Sequence, residues 1–201
     1  MTRVIGLTGG SGAGKSLAAQ NFAALGAGIA DADAIYRSLC AENHAMLDAL
    51  QTAFGDILTP AHTLDRKKLA ALVFADPDKL QLLNAITIPY IRTQSEQEIA
   101  RLFGAGHRIV LYDAPTLFET GTDTLCFQTI GVIAAREIRL QRIITRDGLP
   151  PAAAAARIDA QPDEHFYRTR CTYILENNGT PAALHAQVHA IWDRLQEGSN
   201  A

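Results

Sequence analysis

The chain opens with a short apolar run that is followed at once by glycines and then by a lysine, and this order constrains the fold more than any other feature. The run RVIGLT covers residues 3–8, and GGSGAGKS follows it at residues 9–16. The second stretch fits the pattern G-x-x-x-x-G-K-[ST], and the helical segment SLAAQNFAALGA (16–27) comes directly after it. A strand, a glycine-rich loop and a helix in this order predict a phosphate-binding loop at the start of an α/β fold.

The residue types in this loop suit the binding of a nucleotide. Glycines let successive backbone N–H groups converge on phosphate oxygens, and the helix N-terminus adds a partial positive charge at the same place. Lys15 can reach the β- and γ-phosphates, and the Ser16 hydroxyl is suited to ligate Mg²⁺. A glycine turn that only tightened a strand–helix junction would not explain Lys15. The predicted phosphate-binding residues are Gly9, Gly10, Ser11, Gly12, Ala13, Gly14, Lys15 and Ser16.

Charge and cysteine content exclude several classes of partner. With 18 basic and 21 acidic side chains and a net charge of −3, the chain has no general field that would attract nucleic acid or an anionic membrane. Cys40, Cys126 and Cys171 show no CxxC spacing, which argues against a disulfide framework and a zinc site. No apolar run approaches the roughly 18 residues of a membrane span, and no secretion signal is recognisable. We expect a cytoplasmic protein without nucleic-acid or membrane partners, and a monomer is compatible with this composition.

Further continuous apolar runs predict the other strands of a sheet. They are AGIA (27–30), HRIVLYDAP (107–115), FQTIGVIAA (127–135) and CTYILENNG (171–179). Continuous hydrophobicity indicates strands covered on both faces, as in a parallel sheet with helices on each side. We therefore predict an α/β fold with a five-stranded parallel sheet flanked by helices. The AGIA strand is expected beside the first strand, so that its carboxyl end brings Asp31 and Asp33 to the ligand edge of the sheet.

The helical segments predict one domain with two insertions. The core is expected at about 1–39, 104–135 and 171–201, a helical acceptor-binding subdomain at about 40–103, and a helical lid at about 136–170. In the subdomain, Asp76 can cap a helix whose first residue is Pro77. In the last segment, 180–196, one helical stripe contains Leu184, Val188, Ile191 and Leu195, which predicts a helix packed on the sheet.

The rest of the chain favours a small kinase over other nucleotide-binding classes. A guanine-specific switch would usually carry N-K-x-D where this chain has ILENNG, and motor or transport ATPases are normally larger. In the segment 135–161, Arg139, Arg142 and Arg146 share one helical face. Guanidinium groups on such a helix can neutralise charge on a transferring phosphoryl group. The alternative interpretation of these arginines is a solvated basic face.

Several segments in this order resemble the dephospho-CoA kinase family. They are IGLTGGSGAGKS, DADAIYR, LDRKKLAALVFADPDKLQLLNAITIPYIR, DAPTLFETG, LQRIITRDGL, ARIDAQ and ILENNG. The first segment is common to many kinases, but the D-A-D segment, the L-D-R…L-N-x-I block and P-x-L-F-E-x-G together are specific. The resemblance covers nearly the whole chain.

This resemblance implies a fold, a reaction and roles for particular residues. The fold would be that of the P-loop NTPases and nucleoside monophosphate kinases. The reaction would be ATP-dependent phosphorylation of the ribose 3′-hydroxyl of dephospho-CoA, giving coenzyme A and ADP with Mg²⁺ as cofactor. Asp33 would be the base near the acceptor hydroxyl, and Asp31 is expected to cap the next helix or to position the loop. Lys15 and Arg142 would assist catalysis. Arg66 and Asn84 would be substrate-side or structural residues. The implied ATP contacts are residues 9–16, Arg142, Arg146, Asn177 and Asn178.

Some positions depart from the family pattern or keep an open role. Leu17 stands where many members have threonine, Ile88 where histidine is common, and Thr172 where an aspartate often precedes the last strand. Asp113 ends the run IVLYD and has the chemistry to hold a metal-bound water. Two alternative functions also stay open. The first is another small P-loop kinase that acts on a nucleoside monophosphate or a small alcohol, and the second is a nucleotide-dependent binding protein without acceptor chemistry.

Overall fold

The structure is a computed structural model that describes residues 2–73 and 76–197. Phe74, which belongs to one of the segments that resemble the family, lies outside the described residues. So do Met1 and residues 198–201, the two ends of the predicted 1–201 domain.

A five-stranded parallel sheet forms the centre of the fold, as predicted. Its strands are β1 (Arg3–Thr8), β2 (Gly28–Asp31), β3 (Ile109–Asp113), β4 (Gln128–Ile133) and β5 (Tyr173–Glu176). The order across the sheet is β2-β3-β1-β4-β5. The carboxyl end of β1 therefore lies between those of β3 and β4, at a point where the chain order of the strands reverses. Open α/β sheets bind ligands at such a point.

The predicted place of the second strand is wrong. β2 does not lie beside β1, because β3 separates the two strands. The burial of the strands gives the physical reason. All five residues of β3 are buried, which suits a strand covered on both faces, whereas the four residues of β2 alternate between buried and half-buried, which suits the edge of the sheet.

Nine α-helices and one short 3₁₀ helix connect or follow the strands within the described residues. They are α1 (Lys15–Ala24), α2 (Ala32–Glu42), α3 (His44–Phe54), α4 (Arg66–Val73), α5 (Pro77–Gly104), the 3₁₀ turn Thr122–Leu125, α6 (Arg136–Asp147), α7 (Pro151–Asp159), α8 (Glu164–Arg170) and α9 (Pro181–Glu197). In the described part of the chain, none of these helices combines the length and apolarity that a membrane span requires.

The predicted helix patterns are confirmed at two sites. The stripe Leu184, Val188, Ile191 and Leu195 on α9 is buried in the same core cluster as Ile5, Leu7 and Ile130 of the sheet. Asp76 caps α5, because its Oδ1 accepts hydrogen bonds from the N–H groups of Asp78 and Lys79, and Pro77 is the first residue of the helix. Proline fits this position, since its missing N–H has no partner inside the helix.

The chain divides into two compact units. Among the described residues, one contains 2–30 and 101–197 and includes the sheet strands around their shared core. The other, Asp31–Ala100, is helical and has a core of its own. Met46, Leu47, Leu50 and Ile57 are fully buried in that second core. Each unit therefore buries apolar surface independently.

Candidate active site

The glycine-rich loop joins β1 to α1 in a conformation that requires glycine. Gly9, Gly12 and Gly14 have φ angles of 153°, 78° and 99°, which L side chains rarely adopt. Neighbouring atoms also leave no room for a side chain at two of these glycines. A Cβ on Gly14 would lie 2.0 Å from Nδ2 of Asn177, and one on Gly12 would lie 2.7 Å from the carbonyl oxygen of Arg139. The loop is thus packed tightly against other segments. Its N–H groups lie just before the N-terminus of α1, where helices favour anions.

Lys15, the first residue of α1, forms an ion pair with Asp113. Asp113 ends β3, and the parallel register of β1 and β3 places it opposite Leu7. The two side chains are 16% and 11% exposed, so water screens this pair less than an exposed one. The structure therefore gives Asp113 a definite neighbour, the lysine of the phosphate-binding loop.

Two arginines of α6 donate to carbonyl groups of the loop. Arg139 Nε donates to the oxygen of Ser11 at 2.9 Å. Arg142 Nη1 lies 3.3 Å from the oxygen of Gly12 and 3.4 Å from that of Ala13. Arg139 is buried, and burial lowers the pKa of its guanidinium. Of the three arginines predicted to share one face, Arg139 and Arg142 thus contact the loop.

The third arginine of the predicted face has a different environment. Arg146 is exposed and donates from Nε to Oδ1 of Asp147 at 2.7 Å, and Arg157 donates to Oδ2 of the same carboxylate at 2.6 Å. Hydrogen bonding from Arg146 lowers the pKa of Asp147. The other side of α6 is apolar, with Ile143 buried against α7. An ATP contact of Arg146 stays a prediction.

The two asparagines after β5 hold the loop and the start of α6. Asn177 is only 4% exposed, and its Nδ2 donates to the oxygen of Ala13 at 2.8 Å. Its own carbonyl oxygen accepts from Arg142 Nη2 at 3.1 Å. Asn178 Oδ1 accepts from the N–H of Ala135, the residue before α6, at 2.7 Å. Asn177 therefore links the loop to Arg142, and Asn178 binds the backbone directly before α6.

Gln161 was not among the predicted site residues, yet it contacts the loop. Its Oε1 accepts hydrogen bonds from the N–H of Ser11 at 2.8 Å and from Nη2 of Arg139 at 2.9 Å. The available signal in the sequence was its position at the end of ARIDAQ, one of the segments that resemble the family. Periodicity carried no signal, because Gln161 lies beyond the last residue of α7.

The remaining predicted residues belong to the helical unit, Asp31–Ala100. Asp31 is the N-cap of α2, as predicted, with Oδ1 accepting from the N–H of Ala34 at 2.9 Å. Asp33 is exposed in the first turn of the same helix. Arg66 begins α4, and its guanidinium carbon lies 5.8 Å from the centroid of the Tyr36 ring. Asn84 is exposed on α5. Asp33, Arg66 and Asn84 are all exposed, and their contact with a substrate stays a prediction.

Oxygen donors at the loop fit a hard cation such as Mg²⁺. The Ser16 hydroxyl is exposed in the first turn of α1, and the Asp113 carboxylate lies against the adjacent Lys15. Mg²⁺ is usually bound by one or two protein oxygens together with phosphates and waters. Within residues 2–73 and 76–197, no three His, Cys, Asp or Glu side chains are grouped to hold a metal. His185 and His189 contact each other, with 3.2 Å between their Nε2 atoms.

A phosphate-binding loop at a switch point of a parallel sheet, with a lysine at its end and arginines from a later helix against it, defines a P-loop kinase. Comparison with known proteins identifies the family. The dephospho-CoA kinase family model matches residues 3–182, so the chain belongs to the dephospho-CoA kinase family.

Individual relatives agree with this assignment. A dephospho-CoA kinase of Anaeromyxobacter dehalogenans is 40% identical over 197 residues, which cover 98% of this chain and 93% of the relative. Among solved structures, TT1252 from Thermus thermophilus matches with a TM-score of 0.82 and 34% identity over 96% of this chain and 98% of the other. A dephospho-CoA kinase from Campylobacter jejuni matches with a TM-score of 0.73 and 25% identity over 99% and 100% of the two chains.

Proposed function

We propose that the chain transfers the γ-phosphoryl group of ATP to the ribose 3′-hydroxyl of dephospho-CoA, giving coenzyme A and ADP in the last step of coenzyme A biosynthesis. The observation that carries this proposal is the match to the dephospho-CoA kinase family over residues 3–182. The contacts of Lys15, Arg139 and Arg142 around the glycine-rich loop support it, since phosphoryl transfer depends on positioning and charge neutralisation.

In this proposal the loop binds the ATP phosphates and α6 neutralises their charge. The binding residues are Gly9, Gly10, Ser11, Gly12, Ala13, Gly14, Lys15, Ser16, Arg142, Arg146, Asn177 and Asn178. Lys15 exchanges the Asp113 carboxylate for phosphate oxygens, and Arg142 stabilises the transferring group. The support is strongest for Arg142, which already lies within 3.4 Å of two loop carbonyls.

Magnesium is the expected cofactor. The Ser16 hydroxyl would hold it directly, and the Asp113 carboxylate would hold one of its waters. When bound, Mg²⁺ supplies charge neutralisation on the phosphates during transfer. Both residues offer the oxygen ligands that this cation prefers.

We assign the acceptor side to the helical unit. Asp33 accepts a hydrogen bond from the ribose hydroxyl, orients its oxygen toward phosphorus and takes up the proton as the new P–O bond forms. Arg66 and Asn84 contact the dephospho-CoA or shape its site. The support for Asp33 is that Asp31, not Asp33, caps α2, which leaves the Asp33 carboxylate in the exposed first turn.

The domain organisation and the cellular location of the protein also belong to this proposal. We assign core segments at about 1–39, 104–135 and 171–201, an acceptor-binding subdomain at about 40–103, and a lid at about 136–170. A reducing cytoplasm suits Cys40, Cys126 and Cys171, which are free thiols.

A coupled assay of ADP formation tests the reaction. The purified chain is incubated with MgATP alone and with dephospho-CoA, AMP, CMP, shikimate or gluconate, and the phosphorylated product is identified by ³¹P NMR. We expect dephospho-CoA to stimulate ADP formation far above the other acceptors and to yield a 3′-phosphate. Faster turnover with another acceptor would identify a different small kinase. ATP binding without stimulation by any acceptor would favour the nucleotide-dependent binding protein.

A further inference from the structure

The peptide groups on both sides of Ser11 are held by two side chains that also bind each other. The N–H of Ser11 donates to Gln161 Oε1 at 2.8 Å, and the carbonyl oxygen of Ser11 accepts from Arg139 Nε at 2.9 Å. Arg139 Nη2 in turn donates to the same Gln161 oxygen at 2.9 Å. The three contacts close a ring around the second residue after Gly9. We call this ring of Ser11, Arg139 and Gln161 the Ser11 clamp.

The packing around the clamp is close at Arg139. Arg139 is 8% exposed although it carries a charge. A Cβ on Gly10 would lie 2.4 Å from Nη2 of Arg139 and 3.2 Å from Oε1 of Gln161. The glycine at position 10 therefore allows the side chains of Arg139 and Gln161 to lie close to the loop. The same arginine also crowds Gly12, whose added Cβ would lie 3.0 Å from the Arg139 Cα.

The chemistry of the two side chains suits orientation of a peptide group. A guanidinium offers donors in a planar fork, so Nε and Nη2 can bind two acceptors in a fixed geometry. The Gln161 oxygen has two lone pairs and accepts both a backbone and a charged donor. Because Gln161 is neutral, the clamp leaves the positive charge of Arg139 without cancellation by this partner.

The clamp lies within the phosphate-binding loop, ahead of the N–H groups at the start of α1. Rotation of the Ser11 peptide would change the direction of the chain through Gly12 and Ala13, and with it the N–H groups that a phosphate must meet. A preorganised loop does not lose this freedom when the nucleotide binds, and the saved ordering cost appears as affinity.

We propose that Arg139 and Gln161 are positioning residues that set the conformation of the phosphate-binding loop for ATP through the Ser11 clamp. This inference rests on the proposed ATP-binding role of the loop and adds two residues to it. Neither residue is assigned contact with the acceptor. The clamp acts through hydrogen-bond geometry, so it requires an acceptor oxygen at position 161 and a forked donor at position 139.

The test measures the dissociation constant of ATP by calorimetric titration in the absence of any acceptor. Gln161→Ala removes the shared oxygen, and we expect ATP binding about tenfold weaker, as the loss of a hydrogen bond to a charged group predicts. Arg139→Lys keeps the charge but loses the fork, and a similar loss is expected. Gln161→Glu keeps an acceptor oxygen but cancels part of the charge of Arg139, so it should bind ATP more weakly than wild type and clearly more tightly than Gln161→Ala.

Controls separate positioning from general destabilisation. Gln141→Ala removes an exposed glutamine of α6 whose Nε2 donates to Thr145 in the same helix, and it should leave ATP affinity unchanged. Thermal unfolding of each variant is followed, and the KM of dephospho-CoA should be unchanged in Gln161→Ala. If Arg139→Lys does not fold, the comparison of Gln161→Ala with Gln161→Glu decides.

Three results would overturn the clamp. They are ATP affinity within twofold of wild type in Gln161→Ala, equally weak binding in Gln161→Glu and Gln161→Ala, and a loss of acceptor affinity as large as that of ATP. The proposed function is judged separately, by acceptor-stimulated ADP formation in the wild type, because ATP binding is measured without acceptor. A chain that binds ATP through the clamp but does not phosphorylate dephospho-CoA would refute the function and support the clamp.

Discussion

The Lys15 ammonium and the Asp113 carboxylate form an ion pair although the two residues are 98 positions apart in the chain. The pairing arises from the parallel register of β1 and β3, which places the end of β3 beside the loop that leaves β1. Lys15 is thus held at the head of α1 by a negative group before a nucleotide arrives. Phosphate oxygens must compete with that carboxylate for the same ammonium.

Removing this competitor should strengthen the binding of metal-free ATP and raise the Mg²⁺ requirement of turnover. In Asp113→Asn we expect metal-free ATP to bind about fivefold more tightly, or about 1 kcal/mol, because Lys15 loses a largely buried anionic partner. The Mg²⁺ concentration for half-maximal turnover should rise, because a proposed holder of a metal-bound water is lost. Calorimetry in EDTA and an Mg²⁺ titration of activity measure the two effects. Asp193→Asn, an exposed change on α9, is the control; weaker metal-free binding in Asp113→Asn would contradict the prediction.

The two acids of the D-A-D segment should respond very differently to amidation. We expect Asp33→Asn to lower turnover with dephospho-CoA by about 10²-fold or more, since an amide cannot take up the hydroxyl proton, while the affinity for ATP is retained. Asp31→Asn is the matched control, because asparagine still caps a helix and should keep near-normal turnover. Steady-state kinetics and calorimetry provide both values. Near-normal turnover in a folded Asp33→Asn variant would exclude the base role.

Two arginines of α6 that have different partners should differ in their importance for catalysis. Arg142→Ala removes donors to Gly12 and to the Asn177 carbonyl, and we expect turnover to fall by about 10³-fold, in the range known for arginines that stabilise transferring phosphoryl groups. Arg136→Ala removes an exposed arginine of the same helix that pairs with Asp159 and should change turnover less than twofold. The measurement is kcat at saturating ATP and acceptor. Equal effects of the two changes would favour the solvated-face interpretation.

Two glycines with similar backbone angles provide a test of the packed loop. Gly14 and Gly26 have φ angles of 99° and 106°, so alanine is strained at both. A Cβ at Gly14 would meet Asn177 at 2.0 Å, whereas one at Gly26 has nothing within 4 Å. We expect Gly14→Ala to abolish measurable ATP binding and Gly26→Ala to cost only about 1 kcal/mol of stability. Calorimetry and chemical unfolding check this, and intact ATP binding in Gly14→Ala would contradict it.

Alkaline pH should destabilise the fold through a half-buried thiol. Burial raises the pKa of Cys126 to about 12 from an ordinary value of 9.0, and the nearby Asp123 adds to the shift. Between those values the unfolded chain releases a proton that the folded chain keeps, so rising pH favours unfolding above about pH 9. The free energy of unfolding of the wild type should therefore fall from pH 8 to pH 11. In Cys126→Ala the free energy of unfolding should fall less steeply with pH, whatever the stability of the variant at pH 8. An unchanged dependence on pH would show that other groups cause the effect.

Much of the fold was predictable because its signals are local. The run at residues 3–8 is β1 with the predicted bounds, and the glycine pattern places the loop before α1. The α9 stripe and the caps Asp31 and Asp76 follow from side chains within one or two turns of the chain. The expected place of β2 failed because strand order depends on which strand is covered on both faces, and β3 met that condition.

The candidate site was predictable to the extent that it is a contiguous motif. Residues 9–16 and the arginine face of α6 were found from spacing alone, but spacing did not distinguish Arg139 and Arg142 at the loop from Arg146 at Asp147. Gln161 was missed because its partner Ser11 lies 150 positions away and no periodicity connects them. The role of Asp113 also depended on the register between two strands.

By itself, the sequence determined that this protein contains a phosphate-binding loop between a strand and a helix, a parallel sheet and helices with defined caps. These features depend on backbone preferences and on apolar runs and helical stripes over short distances. Only the tertiary structure decided the order of the strands, the pairing of Lys15 with Asp113 and the Ser11 clamp. Such contacts join distant segments, and their energy depends on burial and geometry that no local pattern specifies.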